Sequence, residues 1–181
     1  MLLVAALALG IGYASLSQEV KISGDIASSA VTFDIQFVES NMNVEPKTET
    51  RLEEMTTLSS KGTTGSPMIH LKAAGLKEAG DKITYTLTLQ NKSDVDVTLT
   101  ALQLKDSDTS EVIDLSNVED LNAHFAPFTF KVTGCNATQE LAPGATATVV
   151  IEIALAQADK VAVTHAFTLT ASAEPTNNDL Q

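Results

Sequence analysis

IHLKAAGLKEAGDKITYTLTLQNKSDVDVTLTALQL, residues 69–104, decides the fold class. From Ile83 to Leu89 every odd position is apolar (Ile83, Tyr85, Leu87, Leu89) and every even one is threonine. A period of two is the pattern of a strand with one face buried and the other wet. Gly80-Asp81 supplies a turn before it and Gln90–Asp94 a polar turn after it, and Val95, Val97 and Leu99 then resume the alternation. The pattern predicts a hairpin. Past Leu99 the apolar set moves to even positions, Leu102 and Leu104, which predicts a bulge near Ala101 where the strand bends between sheets.

The same periodicity recurs on both sides. Val31, Phe33, Ile35 and Phe37 predict a strand over Ala30–Val38, and Phe128, Phe130 and Val132 another. Pro143-Gly144 turns into Ala145, Ala147, Val149, Ile151, Ile153 and Leu155, the longest alternation, and Val161 through Ala171 form a last one. The expected fold is all-β: a jelly-roll or Ig-like β-sandwich of about eight strands with two irregular insertions, spanning residues 25–173. The insertions are Glu39–Pro67, with one helical turn expected at Arg51–Met55, and Lys105–His124, where Ser116-Asn117-Val118-Glu119 matches a capping box and predicts a short helix. Residues 174–181 read as a polar, frayed tail.

Composition narrows the function classes. The formal net charge is −12 and the pI about 4.5, with no basic run, so nucleic acid is excluded as a partner. The single cysteine, Cys135, cannot form an intramolecular disulfide and reads as a partly buried small hydrophobe near a turn. Met1–Ala14 is uncharged and apolar, too short to span a bilayer, and ends in small residues. It reads as an export segment lacking its basic start, cleaved between Ala14 and Ser15, with only transient membrane contact. Leu16, Val20 and Ile22 share one face of an extended segment, Ser15–Ser23, and Gly24-Asp25 follows as a hinge.

The order of these elements resembles the TasA/camelysin family of exported bacterial proteins. The likeness rests on Gly75–Leu102, where Gly80-Asp81 and Asn91-Lys92-Ser93 stand at the family's turns, with Ala79 in place of its usual proline. The leader followed directly by a strand is similar to precursors cleaved by SipW-type signal peptidases. The resemblance implies a secreted jelly-roll subunit of a biofilm matrix fibre, assembling with copies of itself and with other matrix proteins. It also implies that the N-terminal segment of one subunit completes a sheet of the next. Here Leu16, Val20 and Ile22 of Ser15–Ser23 would be the inserted side chains; the alternative is that the segment folds back as the first strand of its own sandwich.

No catalytic constellation stands out, and the expectation is a non-enzyme without a cofactor. His70, His124 and His165 are far apart in sequence with no His-Glu-x-x-His pattern. His165 falls on the apolar face of its strand and reads as a histidine with a satisfied ring; His70 faces solvent. Asp106, Asp108 and Glu111 form a loose acidic cluster, a weak candidate for calcium, whose default reading is a solvated loop. Two other readings stand beside the fibre subunit: a metal-dependent peptidase of the camelysin type, and a monomeric binding module using Glu39–Pro67. Asn91-Lys92-Ser93 and Asn136-Ala137-Thr138 are formal glycosylation triplets expected to go unused.

Overall fold

The computed structural model describes residues 34–159 and 162–176. The leader Met1–Ala14, the cleavage pair Ala14 and Ser15, the segment Ser15–Ser23 with Leu16, Val20 and Ile22, and the hinge Gly24-Asp25 all lie outside them.

Two antiparallel sheets pack face to face, an all-β sandwich. The first has the order β1 (Ile35–Glu45), β3 (Lys82–Asn91), β8 (Thr146–Leu155), β6 (Phe128–Gly134). The second has the order β2 (Met68–Leu76), β9 (Val163–Pro175), β4 (Val97–Asp106), β5 (Val112–Asp114), and the two-residue β7 (Glu140–Leu141) also pairs with β4. Two short helices cap the sandwich: α1 (Leu52–Leu58), preceded by a 3-10 turn at Glu49–Arg51, and α2 (Val118–His124). Among the described residues no helix is long and apolar enough to cross a membrane.

The odd face of β3 is the centre of the core. Ile83, Tyr85, Leu87 and Leu89 are fully buried against Phe167 and Leu169 of the opposite sheet. Tyr85 meets Phe167 edge to face at 6.1 Å, a favoured aromatic arrangement. Among the described residues the Tyr85 hydroxyl has no hydrogen-bond partner, and burial pushes its pKa up. An unpaired buried hydroxyl is costly, so Tyr85→Phe is expected to raise the unfolding free energy by roughly 1 kcal/mol in urea denaturation; an unchanged or lower midpoint would contradict this.

The predicted hairpin is an arch. β3 and β4 belong to different sheets, so the polar turn between them carries the chain across the sandwich. Asn91 holds that crossing. Fully buried, its side-chain amide donates to the carbonyls of Val95 (2.8 Å) and Leu141 (2.9 Å), and its side-chain oxygen accepts from Ser93 N–H (2.8 Å). The burial also closes the first glycosylation triplet to modification in the folded chain. The bulge is present, as a register shift between Leu99 and Ala101 in the β4–β9 pairing.

Other expectations shift in detail. β1 runs on to Glu45 through a bulge between Phe37 and Glu39, so the first insertion begins later than Glu39. Its remainder is tied down: Phe37 N–H donates to Ser66 O at 2.9 Å, Ser60 pairs with Lys72, and Met55 of α1 is fully buried. The cap of α2 is Asn117, not Ser116; its side chain accepts from Asp120 N–H at 3.2 Å. The tail is ordered further than expected, because β9 continues to Pro175, opposite Val97, and Thr176 N–H donates to Asp96 O at 2.9 Å.

Candidate functional site

Antiparallel pairing turns alternate backbone groups of an edge strand away from the sheet. β6 is an edge of the first sheet. Cys135 N–H, just past its end, donates to Thr148 O at 2.7 Å and fixes the phase. The odd residues of β6 therefore bond to β8, and Phe128, Phe130, Val132 and Gly134 point their backbone groups outward. α2 and its C-terminal turn occupy the first half of that edge: Phe128 N–H donates to Phe125 O at 2.9 Å, and Phe130 N–H to the Asn122 side-chain oxygen. Among the described residues, no hydrogen bond occupies the edge at Val132 and Gly134.

Beside this bare segment lies a mostly apolar groove of about 160 Å³, between β6 of one sheet and the β4–β5 edge of the other. Leu102, Leu115, Val118, Val132 and Cys135 wall it, with Asp114 and Ser116 at the rim. The volume matches the ~150 Å³ of a cavity that takes up benzene, so it accommodates one apolar side chain. Gly134 sets the floor. Its φ is +104°, and a Cβ there would fall 2.1 Å from Thr148 O, so only glycine permits this approach of β6 to β8. Cys135 is a buried free thiol, and burial pushes its pKa up, against an opposing hydrogen bond from its own backbone; it is an inert lining residue. Sequence reasoning missed this groove because its walls come from three separate stretches, at Leu102, Asp114–Val118 and Val132–Ala137.

The acidic cluster differs from the expectation. Asp106 is not solvated: it is 3% exposed. Its carboxylate meets His124 Nε2 at 2.8 Å and His165 Nε2 at 3.1 Å, and accepts from Asp108 N–H at 2.7 Å and Thr109 Oγ1 at 2.9 Å. Burial works to raise its pKa, but these donors and the nearby His165 outweigh it and hold the carboxyl well below its ordinary range. Asp108 and Glu111 are exposed; Glu111 approaches His124 Nδ1 at 3.0 Å and Asp108 approaches His165 Nδ1 at 3.9 Å. His124 and His165, far apart in sequence, thus converge on one carboxylate. His165 lies on the inward side of β9 with a satisfied ring, stacked edge-on to Phe125 at 5.0 Å. His70 is exposed, with Nδ1 2.8 Å from Thr168 Oγ1.

A signal for the buried Asp106 was present. After the bulge, even positions of β4 face inward (Leu102, Leu104), and Asp106 is the next one. Comparison with protein-family models, with curated proteins and with solved structures finds no match.

Proposed function

We propose that the protein is a structural subunit of an extracellular fibre, exported by a bacterium, that polymerises by donating Ser15–Ser23 to the β6 edge of a neighbouring copy. The observation that carries this reading is the backbone at Val132 and Gly134, unpaired among the described residues, beside an apolar groove. An incoming extended segment would satisfy those groups and place one of Leu16, Val20 or Ile22 in the groove. Burying such a side chain contributes roughly 1.5–3 kcal/mol before ordering costs.

The described chain enters the first sheet at β1, and β1 and β6 are its opposite edges, roughly 14 Å apart at about 4.8 Å per strand. A donor segment of one copy seated on the β6 edge of the next is a contact between unlike surfaces, and one that does not close propagates into a filament. The resemblance to the TasA/camelysin family agrees with this reading, as does the absence of basic runs expected of a partner of nucleic acid. In this role the chain is a binding scaffold, not an enzyme, and other matrix proteins are possible co-assembling partners.

Negative-stain images of protein beginning at Ser15 should show filaments, and protein beginning at Gly24 should remain monomeric. A synthetic Ser15–Ser23 peptide should bind the shortened protein at one per chain. If the shortened protein polymerises as well as the longer one, strand donation is wrong.

A further inference from the structure

We propose that Asp106, Asp108 and His165 form a binding site for one divalent transition-metal ion of the zinc class. One donor atom from each residue lies within 4.8 Å of the others. Asp106 Oδ1 and His165 Nε2 are 3.1 Å apart, close to the roughly 3.3 Å separation of two ligands on one ion at 2.0–2.1 Å bonds. The Asp108 carboxylate stands 3.9 Å from the other ring nitrogen, His165 Nδ1, too far for a hydrogen bond, and has to swing round the ring to reach an ion on Nε2. At 79% side-chain exposure it is free to swing onto an ion.

The surroundings pre-arrange the set. Asp106 ends the inward face of β4 opposite Phe167 of β9, and His165 is the next inward position along β9, two residues beyond that pair. The imidazole is held between Phe125, at 5.0 Å, and Phe128, at 6.3 Å, so its plane is fixed. His124 engages the other Asp106 oxygen, Oδ2, at 2.8 Å, and Thr109 Oγ1 shares that oxygen at 2.9 Å. Hydrogen bonds to the outer oxygen of a ligating carboxylate orient it and tune its basicity. Oδ1 is left facing His165 and the backbone N–H of Asp108.

The donor chemistry selects the metal. One imidazole nitrogen with two carboxylate oxygens suits zinc, cobalt, nickel or manganese, whereas calcium takes six to eight oxygens and magnesium an oxygen octahedron. Three side-chain carboxylates around two imidazoles, on a chain of net charge −12, attract a cation to the mouth of the site. The bound ion would clip the turn after β4 onto β9. This proposal is independent of strand donation, and neither falls with the other.

The test uses the Ser15 form stripped with EDTA, dialysed, and titrated by calorimetry with zinc chloride and separately with calcium chloride. The expected result is one zinc per chain and no calcium heat. Asp108→Ala, an exposed substitution that leaves the metal-free thermal midpoint unchanged, should weaken zinc at least about tenfold. His165→Gln should do the same, and His70→Ala should not. Zinc far below one per chain, or Asp108→Ala binding as tightly as the parent, would overturn the proposal and leave Asp106 as a hydrogen-bonded anchor for two histidines.

Discussion

Asp81→Ala is expected to lower the unfolding free energy by about 3–5 kcal/mol, the usual cost of removing one member of a buried ion pair. Asp81 is fully buried and ties three stretches of chain together. It accepts Lys47 N–H at 2.7 Å, Lys77 N–H at 2.7 Å and Glu78 N–H at 2.8 Å, and pairs with the Arg51 guanidinium. Arg51 reaches on to the carbonyl of Gly75. One carboxylate thereby joins the end of β1, the turn leading into α1, and the β2–β3 connection. Alanine leaves a guanidinium that is 12% exposed and three backbone donors without their acceptor. For a chain of this size the loss corresponds to a fall of roughly 6–20 °C in Tm. Asp94→Ala, at an exposed turn position, should stay within about 0.5 kcal/mol of the parent. An Asp81→Ala midpoint indistinguishable from that control would remove the carboxylate from its structural role.

The same residue sets a pH dependence. Burial works to raise the Asp81 pKa, but the backbone N–H groups of Glu78, Lys47 and Lys77, with Arg51, outweigh it and hold the value below the ordinary 3.8. The sign follows from linkage. The unfolded chain takes up its proton first as pH falls, so the stability due to Asp81 is complete above the unfolded pKa and is lost as pH drops through it toward the folded one. Below about pH 4, near the ordinary carboxylate pKa, urea midpoints of the parent should fall more steeply than those of Asp81→Asn.

Which parts of this were legible in the sequence depends on what periodicity records. It records which face of a strand is buried, and Ile83 through Leu89, the bulge before Ala101 and the inward set of β8 all follow from it. It does not record the neighbour. An arch and a hairpin present the same alternation, and the difference at Asn91 lies in a side-chain amide that bridges Val95 and Leu141, a contact spanning 50 residues. Likewise Gly80-Asp81 reads as an ordinary turn, because turn composition says nothing about donors arriving from Lys47 and Arg51. Asp106 was readable from the phase of β4 but masked by its acidic neighbours Asp108 and Glu111, which resemble a solvated loop. The capping box slipped by one residue because Ser116 and Asn117 are both good caps. Ser116 instead donates its backbone N–H to the Asp114 side chain at 2.8 Å.

Val132→Pro is expected to abolish filaments while leaving the fold intact. Proline removes one backbone donor and adds a ring in its place. Within a sheet that is destructive, but on an edge strand with the N–H directed outward it is tolerated. The phase set by Cys135 and Thr148 directs the Val132 N–H away from β8, so no hydrogen bond among the described residues is lost. A donated strand needs that N–H, and the ring obstructs its approach to the groove wall that Val132 forms. Lys131→Pro is the matched opposite: Lys131 faces Glu152 in the bonded phase of the β6–β8 ladder, so proline there removes a ladder hydrogen bond and should cost stability outright, by about 1–3 kcal/mol. The pair separates an assembly defect from a folding defect. Val132→Pro with a near-parent thermal midpoint and no filaments supports β6 as the acceptor. Val132→Pro that still forms filaments from protein beginning at Ser15 moves the acceptor to another edge. A mixture of parent and Val132→Pro adds direction. The variant keeps its own Ser15–Ser23 and can still donate, so it should add to one end of a growing filament and stop it. Filament length should then shorten with the fraction of variant, a dependence that a variant unable to fold would not produce.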